Sequence, residues 1–525
     1  MSFFKKIRWV INPNVYIGSS LIIWSLVLMS VIFTKGSTEL FTKVHTAIIH
    51  NFSWLFIGGV AIFLIFSGWL LITKYGHIRL GKDNEKPQFS FLSWMAMLFS
   101  AGMGIGLLFY GVAEPIMHYS NLPTGKTLTA STDAAKAMNI TFFHWGLHAW
   151  AIYAIIGLAL AYGTYRKGRA LSIRYTLYPL FGKAIEGRLG DLIDILAVVG
   201  TLFGVATSLG FGVTQINSGL NYVFGVPISE TVQVGLIAFI TLVATISVVT
   251  GIDKGVKLLS EFNIIVAIGL LLFVFFAGHP NDLMNLYVEN IGTYIRNLPQ
   301  LTFSTGARND GTWMGSWTLF YWGWWIAWSP FVGMFIARIS KGRTLKEFVS
   351  GVLFIPSLFT FFWMTVFGES AISMIKDGSD KLETMVNSNV AVSLYAFLEN
   401  LPMSQITCVL AILVVFSFFV TSSDSGSFVI DMITAGGDPN PPTHQKVYWA
   451  FMEGIVAAVL LWTGGLKALQ MASLTVALPF CVVILFICLS LYRELRAEAL
   501  GLELDFETES EEDERSIQSE KPLTT

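Results

Sequence analysis

Long apolar blocks alternate with short polar stretches along almost the whole chain, near 15–34, 52–73, 91–113, 138–164, 192–213, 231–250, 260–277, 313–336, 346–367, 405–423, 446–463 and 471–492. A hydrocarbon core about 30 Å thick takes about 20 helical residues to cross, so each block predicts a transmembrane helix, twelve in all. No ten-residue alternating pattern suggests a barrel, and a helix satisfies its own backbone polar groups in lipid. Between the seventh and eighth blocks, Asp282 to Leu298 places Leu283, Leu286, Tyr287, Ile291, Tyr294, Ile295 and Leu298 on one side at helical spacing. That stretch is too polar to span. It reads as an amphipathic helix on the outer surface or as a short packed extracellular helix.

Composition removes the soluble alternatives. Of 525 residues, 54% are hydrophobic and 13% charged, and the mean hydropathy is +0.63, far from an ordinary soluble domain. The basic residues give an orientation, because short cytoplasmic loops collect Lys and Arg. With the amino terminus inside, 22 of the 33 basic residues fall in inner loops and nine in outer ones. Both termini are then cytoplasmic in a cell (inner or plasma) membrane. The first apolar block lacks a small-residue cleavage site and reads as a retained span. Cys408, Cys481 and Cys488 lie in spans without metal-ligand spacing and read as packing residues. The end of the chain, 496–525, is acidic and reads as a disordered cytoplasmic tail. No G-x-x-x-x-G-K-S/T cradle is visible, so ATP-driven transport by this chain is not expected.

Two spans carry residues that packing alone does not favour. The third holds Ala101-Gly102-Met103-Gly104-Ile105-Gly106, and each glycine costs up to about 1 kcal/mol of helix relative to alanine. The eighth holds Ser329-Pro330, which removes a backbone donor and predicts a kink. Helices broken at corresponding places in two halves point to a transporter's binding site, although a GxGxG run also permits close helix packing. The two spans lie five apart, as the first helices of two five-helix repeats would. The fold class is thus an all-α membrane protein in five parts. Residues 1–90 form two peripheral spans, 91–280 a first repeat, 281–300 the surface helix, 301–495 a second repeat and 496–525 the tail.

The chemistry concentrates in aromatic residues. Trp322, Trp324, Trp325 and Trp328 crowd two turns of the eighth span. An indole face attracts a cation that cannot be hydrogen-bonded, such as a quaternary ammonium; an interfacial aromatic belt is the other reading. The fourth span adds Trp145, Trp150 and Tyr153, which on a continuous helix share less than half its circumference. Trp325 and Trp328 would face them, and free N–H groups at Gly102, Gly104 and Gly106 would receive a carboxylate. In the tenth span, Phe418 to Gly426 brings Thr421, Ser422 and Ser423 together. Such hydroxyls are hard oxygen ligands for sodium, or they simply bond back to the preceding turn. His144 and His148 lie one turn apart, with no carboxylate on their helix, and read as polar packing residues.

The stretches 102–115, 144–169, 317–343 and 419–427 resemble signature segments of the betaine/carnitine/choline transporter family, over about residues 10–495. The resemblance implies twelve spans, a five-plus-five inverted repeat and a homotrimer. It implies an aromatic box at Trp145, Trp150, Tyr153 and Trp325, with Trp324, Trp328 and Phe331 along the path. It also implies one sodium site at Ala101, Met103, Phe418, Thr421 and Ser422, and a second at Thr201 and Phe331. The further threonine of that second site is Val205 here, so the set is incomplete. Members that work without sodium carry an arginine or other substitute near the first site, absent from these segments. Gly106 replaces the aspartate associated with choline and so favours betaine-like zwitterions. The long basic tail of osmosensing members is absent.

The expected function is sodium-coupled import of glycine betaine or a related compatible solute, with the bilayer and a zwitterionic or cationic small molecule as partners and no nucleic acid. A proton-coupled choline carrier is the runner-up, and a non-transporting membrane sensor is the alternative of another class. An enzyme is not expected.

Overall fold

The computed structural model describes residues 9–102, 104–120, 130–250, 253–307 and 311–502, with backbone alone at 99–102, 130–133, 248, 250 and 253–258. Helices account for nearly all of it, and the described residues contain no strand beyond one bridge between Arg79 and Thr344.

Helix α1 (Pro13–Ile32) starts at Asn12, whose side chain accepts from the Val15 N–H at 3.4 Å, with Pro13 where a missing N–H costs nothing. A break at Phe33 leads into α2 (Thr34–Ile72). The expected outer loop at 35–51 is therefore helical and extends α2 by about 25 Å. Ser37, Phe41 and Ile48 are the buried residues of that stretch. The third span divides into α3 (Phe91–Gly102) and α4 (Ile105–Ser120), and the fourth into α5 (Ala130–Trp145) and α6 (Leu147–Ala161). After the short α7 (Tyr178–Phe181) come α8 (Arg188–Phe224), α9 (Glu230–Thr250) and α10 (Asp253–Ala277).

The amphipathic segment forms α11 (Pro280–Thr302), longer than expected at both ends. It packs through Leu283 and Tyr294, and the Tyr294 ring lies 5.0 Å from Phe361, while Ile295 is exposed. A single turn, α12 (Thr312–Ser316), precedes α13 (Thr318–Ile339). Helix α14 (Leu345–Met364) starts with a capping box, Thr344 and Glu347 each bonding the other's backbone N–H. One π-helical turn, Thr365–Glu369, joins it to α15 (Ser370–Lys376). The short α16 (Asp380–Ser388) and α17 (Ser393–Leu398) lead to α18 (Ser404–Thr434) and α19 (Thr443–Ala499). The last two expected spans meet within α19 at Gly465, whose φ of 63° turns the chain where L side chains are disfavoured.

Among the described residues nine helices are long and apolar enough to cross a membrane. The difference from twelve blocks has three sources. The third span is split into two short helices, the eighth is long enough at 22 residues but rich in weakly apolar tryptophan, and the last two are joined across Gly465. Pro330 does not interrupt α13, contrary to expectation. It removes the donor that Ile326 O would receive, and the Ser329 hydroxyl donates to that carbonyl instead at 2.7 Å.

Burial separates centre from rim. The most apolar part of 134–166 is 94% buried and that of α8 83%, against 28% in each of α1, α9 and α10. Leu21, Phe239, Ile265 and Phe276 project from the rim helices as an apolar surface suited to lipid. Helices α4, α6, α8, α13 and α18 enclose the centre. At one end, loops assigned to the same side of the membrane meet. Arg166 pairs with Asp83 at 2.5 Å and Glu498 at 2.7 Å, Arg169 with Glu494, and Lys341 with Glu85. Glu498 also accepts from the Tyr162 hydroxyl. The tail was expected to begin at 496, but these contacts keep α19 ordered to Ala499.

Candidate functional site

The centre holds a cavity of ≈ 600 Å³, its open mouth included, lined by Gly104, Gly106, Trp145, Trp150, Tyr153, Trp324, Trp325 and Trp328, with Ser208, Thr360 and Ser422 among the other lining residues. Four of these rings stand at steep angles to one another. Trp145 meets Trp325 at 5.0 Å and 71°, Tyr153 meets Trp325 at 6.3 Å and 73°, and Trp150 meets Tyr153 at 5.5 Å and 76°. Walls at such angles turn several ring faces toward one volume, the arrangement that holds a tetraalkyl cation. Trp324 stacks behind Trp325 at 4.7 Å and 15°.

Broken helices set these walls. Trp145 closes α5 and Leu147 opens α6, with Gly146 between them at φ −99°, ψ −136°. The helical-wheel argument assumed a continuous span; the walls instead come from two helices meeting at a glycine. A Cβ at Gly146 would lie 2.5 Å from the Phe361 ring. Near the break the His144 carbonyl receives the Trp325 indole N–H at 3.0 Å, so the helix end anchors the facing wall. The break between α3 and α4 places Gly104, Ile105 and Gly106 on the cavity, and first-turn N–H groups are the ones without intrahelical acceptors. A Cβ at Gly106 would stand 2.8 Å from Trp145 Cη2 and 3.1 Å from Trp324 Cη2.

Sequence reasoning missed Glu114, which is fully buried on α4. Its Oε2 accepts from Trp145 Nε1 at 2.7 Å and the Tyr321 hydroxyl at 2.5 Å; its Oε1 lies 2.6 Å from His144 Nδ1 and 3.2 Å from His118 Nε2. The signal was a carboxylate directly after the third apolar block, within a helix that continues to Ser120, and such a buried carboxylate is rarely placed there without a role. His144 thus has a carboxylate partner from another helix, and its Nε2 meets Thr318 at 3.0 Å. The two histidine nitrogens nearest Glu114 are both engaged with it, so the trio forms a hydrogen-bonded cluster. His148 bonds Thr302 at 2.9 Å and stacks on Trp322 at 5.6 Å. Trp322 was expected beside the other indoles but faces that packing layer, away from the cavity.

The oxygen ligands are distributed unevenly. Ser422 lines the central cavity and also a wider one of ≈ 2190 Å³, open mouth included, which shares Trp328 and Val332 with the first and takes in Phe331, Phe418, Thr421, Arg338 and Lys446. The Thr421 hydroxyl bonds back to Ser417 O at 3.1 Å and Phe418 O at 3.2 Å, and receives Asn263 at 3.3 Å. Of the other first-site residues, Met103 lies outside the described residues, as does the side chain of Ala101. At the second set, the buried Thr201 hydroxyl has no partner among the described residues, which leaves an oxygen available to a cation. Phe331 packs on Trp328 at 5.2 Å. Val205 approaches Gly426, beside the buried Glu453. Trp324 and Trp328 also carry buried indole N–H groups without partners among the described residues.

An all-helical, lipid-surfaced bundle with a central cavity and helices broken at its wall defines a multi-pass membrane transport protein. The model of the betaine/carnitine/choline family transporters matches residues 14–500, and the chain belongs to that family. An uncharacterized transporter of Mycobacterium bovis is 49% identical over 91% of this chain and 82% of its own length. A glycine betaine transporter of Acinetobacter baylyi is 46% identical over 94% and 74%. The glycine betaine transporter OpuD of Bacillus subtilis is 44% identical over 90% and 92%. The chain is accordingly a transporter and not an enzyme.

Proposed function

We propose that this protein imports glycine betaine, or a closely related quaternary-ammonium solute, across the plasma membrane by sodium symport. It does so as a twelve-span, five-plus-five carrier with both termini cytoplasmic, in a homotrimer. The observation that carries the reading is the set of near-perpendicular faces of Trp145, Trp150, Tyr153 and Trp325 around one cavity. A trimethylammonium group fits such faces, while a carboxylate would be met by donors at the start of α4. Two relatives bear the name glycine betaine transporter, and one of Vibrio parahaemolyticus, 43% identical, is named for glycine betaine, proline and choline.

Sodium is favoured by Ser422 on the cavity wall and by the Thr201 hydroxyl, which has no partner among the described residues. When bound, the ion would supply positive charge beside a substrate carboxylate. Ser422, Thr421, Phe418, Ala101 and Met103 would hold one ion, and Thr201 and Phe331 would belong to a second. Uptake of labelled osmolytes into vesicles, with sodium and proton gradients imposed separately, tests the proposal. Betaine accumulation should follow the sodium gradient; accumulation that follows protons alone would hand the function to the proton-coupled reading.

A further inference from the structure

We propose that Glu114 is a specificity-determining residue of the aromatic cage: its carboxylate, hydrogen-bonded to the edge of Trp145, makes the site prefer a cation over a neutral group of the same shape. The inference rests on the cage reading above and adds a charge to it.

Glu114 is fully buried, and its charged or chargeable neighbours are His118 and His144. An ionised carboxylate only accepts hydrogen bonds. The Trp145 indole, the Tyr321 hydroxyl and the two imidazoles can all donate to it, so the surroundings hold Glu114 as the anion with its oxygens satisfied. Burying such a charge is costly even when it is hydrogen-bonded.

The anion acts on the cage in two ways. It stands one indole away from the cavity, in a medium where a charge is poorly screened. Its hydrogen bond from the in-plane Trp145 Nε1–H also pushes electron density into the ring, which strengthens the attraction of the ring's faces for a cation. A third link is mechanical. His144, held by Glu114 through its imidazole, offers its carbonyl to Trp325 Nε1 at 3.0 Å, so one cluster fixes two walls.

A positional role and an electrostatic role make different demands on the ligand. Glycine betaine and 3,3-dimethylbutanoate have the same shape and the same carboxylate, but the quaternary centre is nitrogen in one and carbon in the other. Binding of both to the full-length chain in lipid nanodiscs should show Glu114→Gln weakening betaine about tenfold while 3,3-dimethylbutanoate keeps its affinity or gains. Equal weakening of both would reduce Glu114 to a positioning residue and overturn the proposal. Should Glu114→Gln fail to fold, Tyr321→Phe provides the test from the other side. It removes one competing donor, leaves more of the charge to Trp145, and should raise the betaine-to-isostere ratio; an unchanged or lowered ratio overturns the proposal. A native protein that binds no betaine would instead defeat the cage reading itself.

Discussion

Trp325 combines two roles that different substitutions separate. Its face closes the cage and its indole N–H secures the carbonyl of His144 at the break between α5 and α6. Trp325→Leu removes both, and with about 0.5–2 kcal/mol of cation–π attraction lost, betaine uptake should fall severely while expression holds. Trp325→Phe keeps a face and loses the hydrogen bond, so its uptake should lie between; equal uptake by the two variants would remove the cage from the explanation. Gly106 offers a second test at this scale. Because any Cβ there enters the space of Trp145 and Trp324, Gly106→Ala should weaken betaine and choline together, whereas Gly106→Asp should add a shift of preference toward choline. Identical selectivity in the two variants, measured by competition, would make the effect steric alone. The indoles of the cage were legible because tryptophan is rare and these lie in spans. Glu114 was not, because apart from His118, one turn away on its own helix, its partners are His144 and Trp145 on α5 and Tyr321 on α13, and the orientation of Trp322 depends on packing against His148 that spacing does not encode.

Helix interruptions were legible as composition but not always as geometry. The glycines at 102–106 do end one helix and start another, since glycine both weakens the helix and leaves room for the indoles. Gly146 escaped notice because a single glycine in an apolar span usually continues it. Pro330 misled in the opposite direction, because Ser329 supplies the lost hydrogen bond and keeps α13 continuous. The tenth span shows how element context divides two adjacent hydroxyls. Thr421 is engaged with Ser417, Phe418 and Asn263, while Ser422 faces both cavities. Ser422→Ala should therefore raise the sodium concentration for half-maximal uptake more than Thr421→Ala does. Reciprocal linkage requires a matching loss of apparent betaine affinity at low sodium. Vesicle uptake measured across sodium concentrations decides it, and indifference of both variants to sodium would withdraw this hydroxyl pair from ion binding.

At the scale of the whole molecule, the sequence sorted loops by charge, and the structure brings several of those sorted to one side into mutual contact through Arg166, Arg169 and Lys341. Of the acidic partners, Glu498 lay in what read as a disordered tail and Glu494 just before it, because pairings across more than 300 residues leave no local pattern. The same end is where the larger cavity opens. Along α13, Tyr321 packs against Tyr110 and Trp145 on the far side of the cage, whereas Trp328, Phe335 and Arg338 descend along the cavity wall toward Lys446. Access to the cage in this structure thus runs from the end with the basic loops, which the charge bias assigns to the cytoplasm. Ser425 lines that route, and the native cysteines Cys408, Cys481 and Cys488 are buried and give little background. A Ser425→Cys variant should react with a membrane-impermeant maleimide in inside-out vesicles and much less in right-side-out ones. Conditions that favour the outward-facing form should slow the reaction, because alternating access closes this route when the other opens. Faster labelling in right-side-out vesicles would reverse the proposed orientation, and with it the direction in which the cage is loaded.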